Sequence, residues 1–177
     1  MPFSSELGKD WIVEKVTGHF FHSVLDVGPG SGTYHRLLNE LLPGAHWTCI
    51  EIWEPYVEQF GLRDIYDSVI VRDALDVPPL GSFDLAIFGD VVEHVERESA
   101  ERLVLQFDWR SAIISMPVCE YPQGAHGGNP HEAHLATWSV DDVHDIFGHL
   151  ITDEVHYPGD GGLGWVEEAI GVFWLQR

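Results

Sequence analysis

Residues 23–41 read "SVLDVGPGSGTYHRLLNEL", and this stretch decides the fold. A short apolar run ends at Asp26, glycines follow at 28, 30 and 32, and an amphipathic segment starts at Thr33. The pattern predicts a buried strand over 23–28 and a helix over 33–42, with Ser31 or Thr33 as its cap and Pro43-Gly44 as its stop. Glycines between a strand and a helix let the backbone approach a ligand closely, because there is no Cβ and positive φ is tolerated. The spacing here is GxGxG, whereas the dinucleotide fingerprint is GxGxxG. Alone, the turn is also compatible with a tight connection that binds nothing.

Outward from this turn the chain alternates. Strands are predicted over 46–52, 68–74, 83–90 and 111–117, and helices over 54–61, 92–107 and 139–148, the last with Ser139 as N-cap. A first helix is predicted over 4–20, and two more strands near 150–157 and 166–176. Strands alternating with helices imply an α/β fold: a doubly wound, Rossmann-like, mostly parallel sheet with helices on both faces. In such sheets ligands bind beyond the carboxyl ends of the strands.

Those ends carry chemistry. Asp26 and the glycine turn close the first strand, Glu51 the second, Asp73-Ala74 the third and Gly89-Asp90 the fourth. A carboxylate at the second end suits a ribose diol, and an Asp at the third can accept an amino hydrogen from adenine. Each acid also has an ordinary reading. Glu51 could be a solvated side chain, and "DALDVPP" has turn chemistry that makes Asp73 a turn former. Glu93 and His94 could be a helix-start acid and a surface histidine.

Together, "VLDVGPGSG", "CIEI", "VRDA" and "FDLAIFGDVVEHV" resemble, in order and spacing, the motifs of class I S-adenosylmethionine-dependent methyltransferases, over roughly residues 20–177. The "DVVEHV" segment resembles the small-molecule branch of that family. The resemblance implies one domain over 1–177 and a seven-stranded sheet with its last strand antiparallel. It implies that Asp26, Gly28, Pro29 and Gly30 hold the methionine part of S-adenosyl-L-methionine. Glu51 would bind the ribose, Ile52 or Trp53 would pack on adenine, and Asp73 with the Ala74 amide would read its edge. Gly89 and Asp90 would face the amine and the transferable methyl. The product would be S-adenosyl-L-homocysteine, and the acceptor an O or N of a small molecule. Pro29 departs from the family pattern.

The segment 116–139 is long for a strand-to-helix connection and holds His126, His131, Glu132 and His134. With residues 1–20, the loop 117–138 is expected to form a substrate lid. The candidate catalytic residues are His131 or His134 as general base, and Asp90. A metal site and a purely structural role compete for these histidines. Their spacing matches no strong metal signature, so no metal is expected. The stretch "YPGDGGLGW" (157–165) reads as a flexible turn.

Composition narrows the partners. Nine basic against 29 acidic residues give a net charge of −20, the opposite of a nucleic-acid footprint. Two cysteines without CxxC spacing point to a reducing compartment. The first residues lack signal-peptide features and no run is long enough to span a membrane. A cytoplasmic monomer or homodimer is expected. Two other functions compete: an NAD-dependent oxidoreductase, and a noncatalytic module that binds the same cofactor.

Overall fold

A computed structural model of the chain describes residues 4–160 and 164–177. Part of the expected turn at 157–165 therefore lies outside the described residues, as does the start of the expected 1–20 lid segment.

Seven strands form one sheet: β1 Ser23–Val27, β2 His46–Glu51, β3 Ser68–Val71, β4 Ser82–Gly89, β5 Asp108–Pro117, β6 Ile151–Asp160 and β7 Trp165–Gln176. Their spatial order is β3-β2-β1-β4-β5-β7-β6. Strands β1 to β5 pair in parallel, while β7 runs antiparallel to both β5 and β6. The expected sheet and its reversed last strand are both present.

The parallel strands are nearly continuous apolar runs because both faces are covered. In β4, Leu85 and Ile87 face one cluster, while Ala86 and Phe88 face the other. Helices α1 (Lys9–Val16), α2 (Thr33–Leu38), α3 (Glu54–Gln59) and α4 (Leu62–Ile65) cover the first face through residues such as Ile12, Leu38, Val57 and Leu62. Helices α5 (Arg97–Leu105) and α6 (Val140–Phe147) cover the second through Leu103, Val104, Val143 and Phe147.

Three local expectations are corrected. The first helix spans only Lys9–Val16, and Gly8 precedes it in the left-handed region (φ 84°). Helix α2 is entered from left-handed Gly32 with no side-chain cap; the Ser31 and Thr33 hydroxyls bond each other at 2.9 Å instead. The expected helix over 92–107 is split. A single 3-10 turn spans Val92–His94, Val95 and Glu96 are extended, and α5 follows. The Glu93 carbonyl accepts the amides of Leu135 and Ala136, a long-range pairing that replaces its helical bond. The start of α6 is as expected, with Ser139 and Asp142 forming a reciprocal capping box.

The end of β4 has room only for glycine. A Cβ at Gly89 would sit 1.9 Å from the ring of Tyr34, which is itself 2% exposed. Gly89→Ala is expected to destabilise the fold by roughly 1–3 kcal/mol through forced displacement of that ring. Equilibrium urea denaturation checks this, with an unchanged midpoint as the contrary result.

Candidate functional site

Because β1 and β4 are neighbours in the sheet while their connections leave in opposite directions, a crevice opens above their carboxyl ends. The register places Val27 beside Phe88, so the turns that follow β1 and β4 meet. A cavity of about 280 Å³ lies there. Its wall is assembled from each strand end in turn: Gly28, Pro29 and Gly30; Glu51 and Ile52; Asp73 and Ala74; Gly89 and Asp90.

The glycine turn is built for close approach. Gly28 has φ 66° and its missing Cβ would lie 2.8 Å from Val91 Cγ2, across the junction of the two turns. Asp90 adopts φ 52°, the one positive φ at a non-glycine among the described residues. That conformation is costly for an L residue and is held by the Asp90 amide donating to the Ser115 carbonyl at 2.6 Å. The strain aims the chain after β4 into the crevice.

Carboxyl groups dominate the lining and the layer beneath it. Glu51 is 3% exposed; it accepts the Trp53 amide at 2.8 Å and the Gly30 amide at 3.3 Å, so one side chain ties the ends of β1 and β2 together. Burial pushes its pKa up to about 7 against those two donors. Asp26, 1% exposed, lies under the glycine turn and not on the cavity wall; it accepts the Tyr66 hydroxyl at 2.6 Å, and burial raises it to about 7. Burial also raises Asp90 and Glu93, Glu93 further through the neighbouring Asp90 charge. Lys9 is buried near Asp90 and Asp26 with its Nζ 3.7 Å from the Tyr34 ring centre, and burial lowers it to about 8. Ionising this set without a compensating cation is unfavourable, and a positively charged ligand would supply one.

Asp73 combines both of its possible roles. Its Oδ1 accepts the Leu75 amide at 2.9 Å as the cap of a 3-10 turn over Ala74–Asp76, and the residue still lines the cavity. Trp53 does not line it; the indole stands 6.1 Å from the ring of His131, at the edge of α3.

The long loop after β5 forms the opposite wall, where Asn129, His131, Glu132 and Leu135 reach the cavity. Its course is fixed by local bonds. Gln123 Nε2 donates to the Glu132 carbonyl at 2.6 Å, the His134 amide to the Gln123 carbonyl at 3.0 Å, and the His131 amide to Asn129 Oδ1 at 2.9 Å. The three loop histidines separate. His131 lines the cavity and is exposed, His126 stays outside, and His134 packs behind the wall against His94 with ring centres 4.9 Å apart.

His94 is the residue that sequence reasoning undervalued. It was a surface helix position in the one-dimensional pattern, but the 3-10 turn directs it into the cavity wall. Its Nδ1 is 3.1 Å from the Ala133 carbonyl, and burial lowers its pKa to about 4. A carbonyl only accepts, so the imidazole is neutral with its proton on Nδ1 and a lone pair on Nε2. The available signal was the "EH" pair directly after a strand end.

Comparisons with known proteins agree with the resemblance read from the sequence. Residues 25–107 match the family model described as "Methyltransferase domain". Among solved structures, the N-terminal domain of EvdMO1 with S-adenosylhomocysteine bound is 11% identical, with 98% of this chain and 82% of that chain covered and a TM-score of 0.70. The small RNA methyltransferase HEN1 is 16% identical over 99% of this chain and 25% of its own, with a TM-score of 0.66. A candidate O-methyltransferase from Nostoc punctiforme PCC 73102 is 12% identical at a TM-score of 0.62; 94% of this chain is covered, which spans 55% of that protein's length. No curated protein matches the sequence.

The buried acids predict a pH dependence that one variant isolates. Asp26 holds its proton more tightly folded than unfolded, so its contribution to stability is full below about pH 4 and declines through its folded pKa of about 7. Asp26→Asn cannot ionise. The stability of the wild type relative to this variant is therefore expected to fall between pH 4 and 7, measured by urea denaturation across that range. A difference independent of pH would contradict the raised pKa.

Proposed function

Since the chain has the class I methyltransferase fold, with a methyltransferase-domain match from β1 through α5, we propose that it transfers the methyl group of S-adenosyl-L-methionine to an O or N atom of a small-molecule acceptor. The observation that carries this reading is convergence. Four successive strand ends deliver a glycine turn, Glu51, Asp73 and Asp90 to a single cavity at the switch point of the sheet.

Each part has a role in this reading. The turn at Gly28, Pro29 and Gly30 lies against the methionine moiety, with Asp26 supporting it from below. Glu51 accepts from the ribose hydroxyls through lone pairs not used by the Trp53 and Gly30 amides. Ile52 packs on adenine, and Asp73 with the Ala74 amide reads its edge. Gly89 and Asp90, consecutive at the end of β4, face the amine and the transferable methyl group. The cofactor supplies the electrophilic methyl carbon when bound, and the chain's own task is alignment and proton management. His131, on the cavity wall and open to solvent, takes the acceptor's proton and passes it to bulk water. The loop 117–138, together with the N-terminal segment 1–20, forms the lid in this reading.

Charge supports the acceptor class. The fold alone is neutral on this point, since HEN1 shares it. A net charge of −20 repels polyanions and favours a small neutral or cationic acceptor. The free thiols of Cys49 and Cys119 suit a reducing compartment, and the reading places the chain in the cytoplasm as a monomer or homodimer; no helix among the described residues is long and apolar enough to cross a membrane. An NAD-dependent oxidoreductase is disfavoured by the GxGxG spacing.

Two substitutions test the pocket and one tests the chemistry. Glu51→Ala and Asp73→Ala are each expected to weaken S-adenosylhomocysteine binding roughly 10- to 150-fold, from charge-assisted hydrogen bonds of about 1.5–3 kcal/mol, as read by isothermal titration calorimetry. His131→Ala is expected to slow single-turnover methyl transfer to a panel of hydroxyl and amine acceptors by about 100-fold or more, with cofactor affinity retained. Unchanged binding in both pocket variants, or full turnover without His131, contradicts the respective assignment.

A further inference from the structure

Glu93, His94 and His134 bring one carboxylate and two imidazoles together, with their potential ligand atoms all within 4.8 Å of one another. Glu93 and His94 are consecutive on the 3-10 turn after β4, and His134 comes from the loop after β5. The three meet because the Glu93 carbonyl accepts the amides of Leu135 and Ala136, which fastens the loop onto that turn.

The tautomers are set for coordination. His94 Nδ1 donates to the Ala133 carbonyl at 3.1 Å and His134 Nδ1 donates to the Tyr121 carbonyl at 2.6 Å. Both Nε2 atoms are thereby left with a free lone pair, the arrangement that backbone carbonyls impose on metal-ligating histidines. Glu93 is 2% exposed and its Oε2 has no hydrogen-bond partner. A buried carboxyl oxygen without a donor, facing two imidazoles that both present acceptors, is an arrangement missing its positive centre.

We infer that Glu93, His94 and His134 form a site for a divalent transition-metal cation at the edge of the methyl-transfer cavity, and that this cation binds a hydroxyl oxygen of the acceptor. The inference rests on the methyltransferase reading and deepens it by selecting O over N. One carboxylate and two imidazoles suit Mn²⁺, Fe²⁺, Co²⁺ or Zn²⁺, and ligand distances of about 2.0–2.2 Å require only a modest inward movement of the three side chains. Three protein ligands leave coordination positions open, and the ligand His94 lines the cavity together with Leu135, the residue after His134. Coordination lowers the pKa of a bound hydroxyl. The acceptor O–H then gives its proton to His131, the oxygen's electron pair forms the new C–O bond, and the C–S bond breaks with its pair retained on sulfur. The products are the methyl ether and S-adenosylhomocysteine. His134, expected as a base, becomes a ligand.

The test uses the full chain, stripped of metal with a chelator and dialysed. Co²⁺ is titrated while its visible d–d absorption is followed, and Zn²⁺ and Mn²⁺ are titrated by calorimetry. The expected result is one site per chain with an intense, tetrahedral or five-coordinate Co²⁺ spectrum. Glu93→Gln and His134→Asn are each expected to weaken binding about 100-fold or more, while His126→Asn, from the same loop but outside the cluster, leaves it unchanged. His134 is half-buried, so its variant serves if the Glu93 substitution unfolds the chain, with thermal melts verifying the fold. Absence of stoichiometric binding, or wild-type affinity in the His134 variant, overturns the metal site. S-adenosylhomocysteine affinity is measured on the same metal-free samples. Its loss in the wild type would strike the methyltransferase reading, whereas its retention without metal binding would strike the metal site alone.

Discussion

The pairing of β1 with β4 is the constraint from which the site follows. These strands are distant in sequence and adjacent in the sheet, so the Val27–Phe88 register brings the glycine turn and the Gly89-Asp90 end face to face. Close approach of the two turns then dictates residue types. Gly28 has no room for a side chain beside Val91, and Gly89 none beside Tyr34. Glu51 adds a second tie by accepting amides from the turns after β1 and β2. The cavity is therefore a product of strand order, and its lining residues are those that the ends of adjacent strands happen to hold.

Electrostatics gives that cavity a preference. Burial raises Glu51, Asp26, Asp90 and Glu93 together, and of these Asp90 and Asp26 have the buried Lys9 cation near them. An acid-rich, partly neutralised pocket gains most from a ligand that brings positive charge into it, because each carboxyl can then ionise against a nearby partner. A sulfonium with an α-amino group has that character. A pyrophosphate does not, and the same acids would repel it.

Much of this was legible in the sequence because strand ends in a parallel sheet are local features. "GPGSG", Glu51, Asp73 and Gly89-Asp90 are each set by a short apolar run and its last residue, and all lie where the alternating pattern puts them, on one rim of the sheet. What escaped was non-local. The break after His94 has no Pro or Gly to announce it, since it arises from Glu93 bonding to backbone amides in a loop some 40 positions away. The same contact decides which loop histidine meets the cavity and which packs behind it, and spacing along the chain carries no information on that. The left-handed Asp90 is likewise invisible to composition, being held by Ser115 on the adjacent strand. Asp26 shows the converse case: its position was legible, but its lodging beneath the turn, bonded to Tyr66, required the packing of α4 and the following segment.

In this reading one ligand touches the ends of β1, β2, β3 and β4 at once. Hydrogen–deuterium exchange of the full chain, with and without saturating S-adenosylhomocysteine, tests it most directly. Slowed exchange is expected in 28–32, 51–54, 73–76 and 89–95 together, with the sheet's opposite rim unaffected. Protection of the glycine turn alone, or no protection at any of the four, would contradict it.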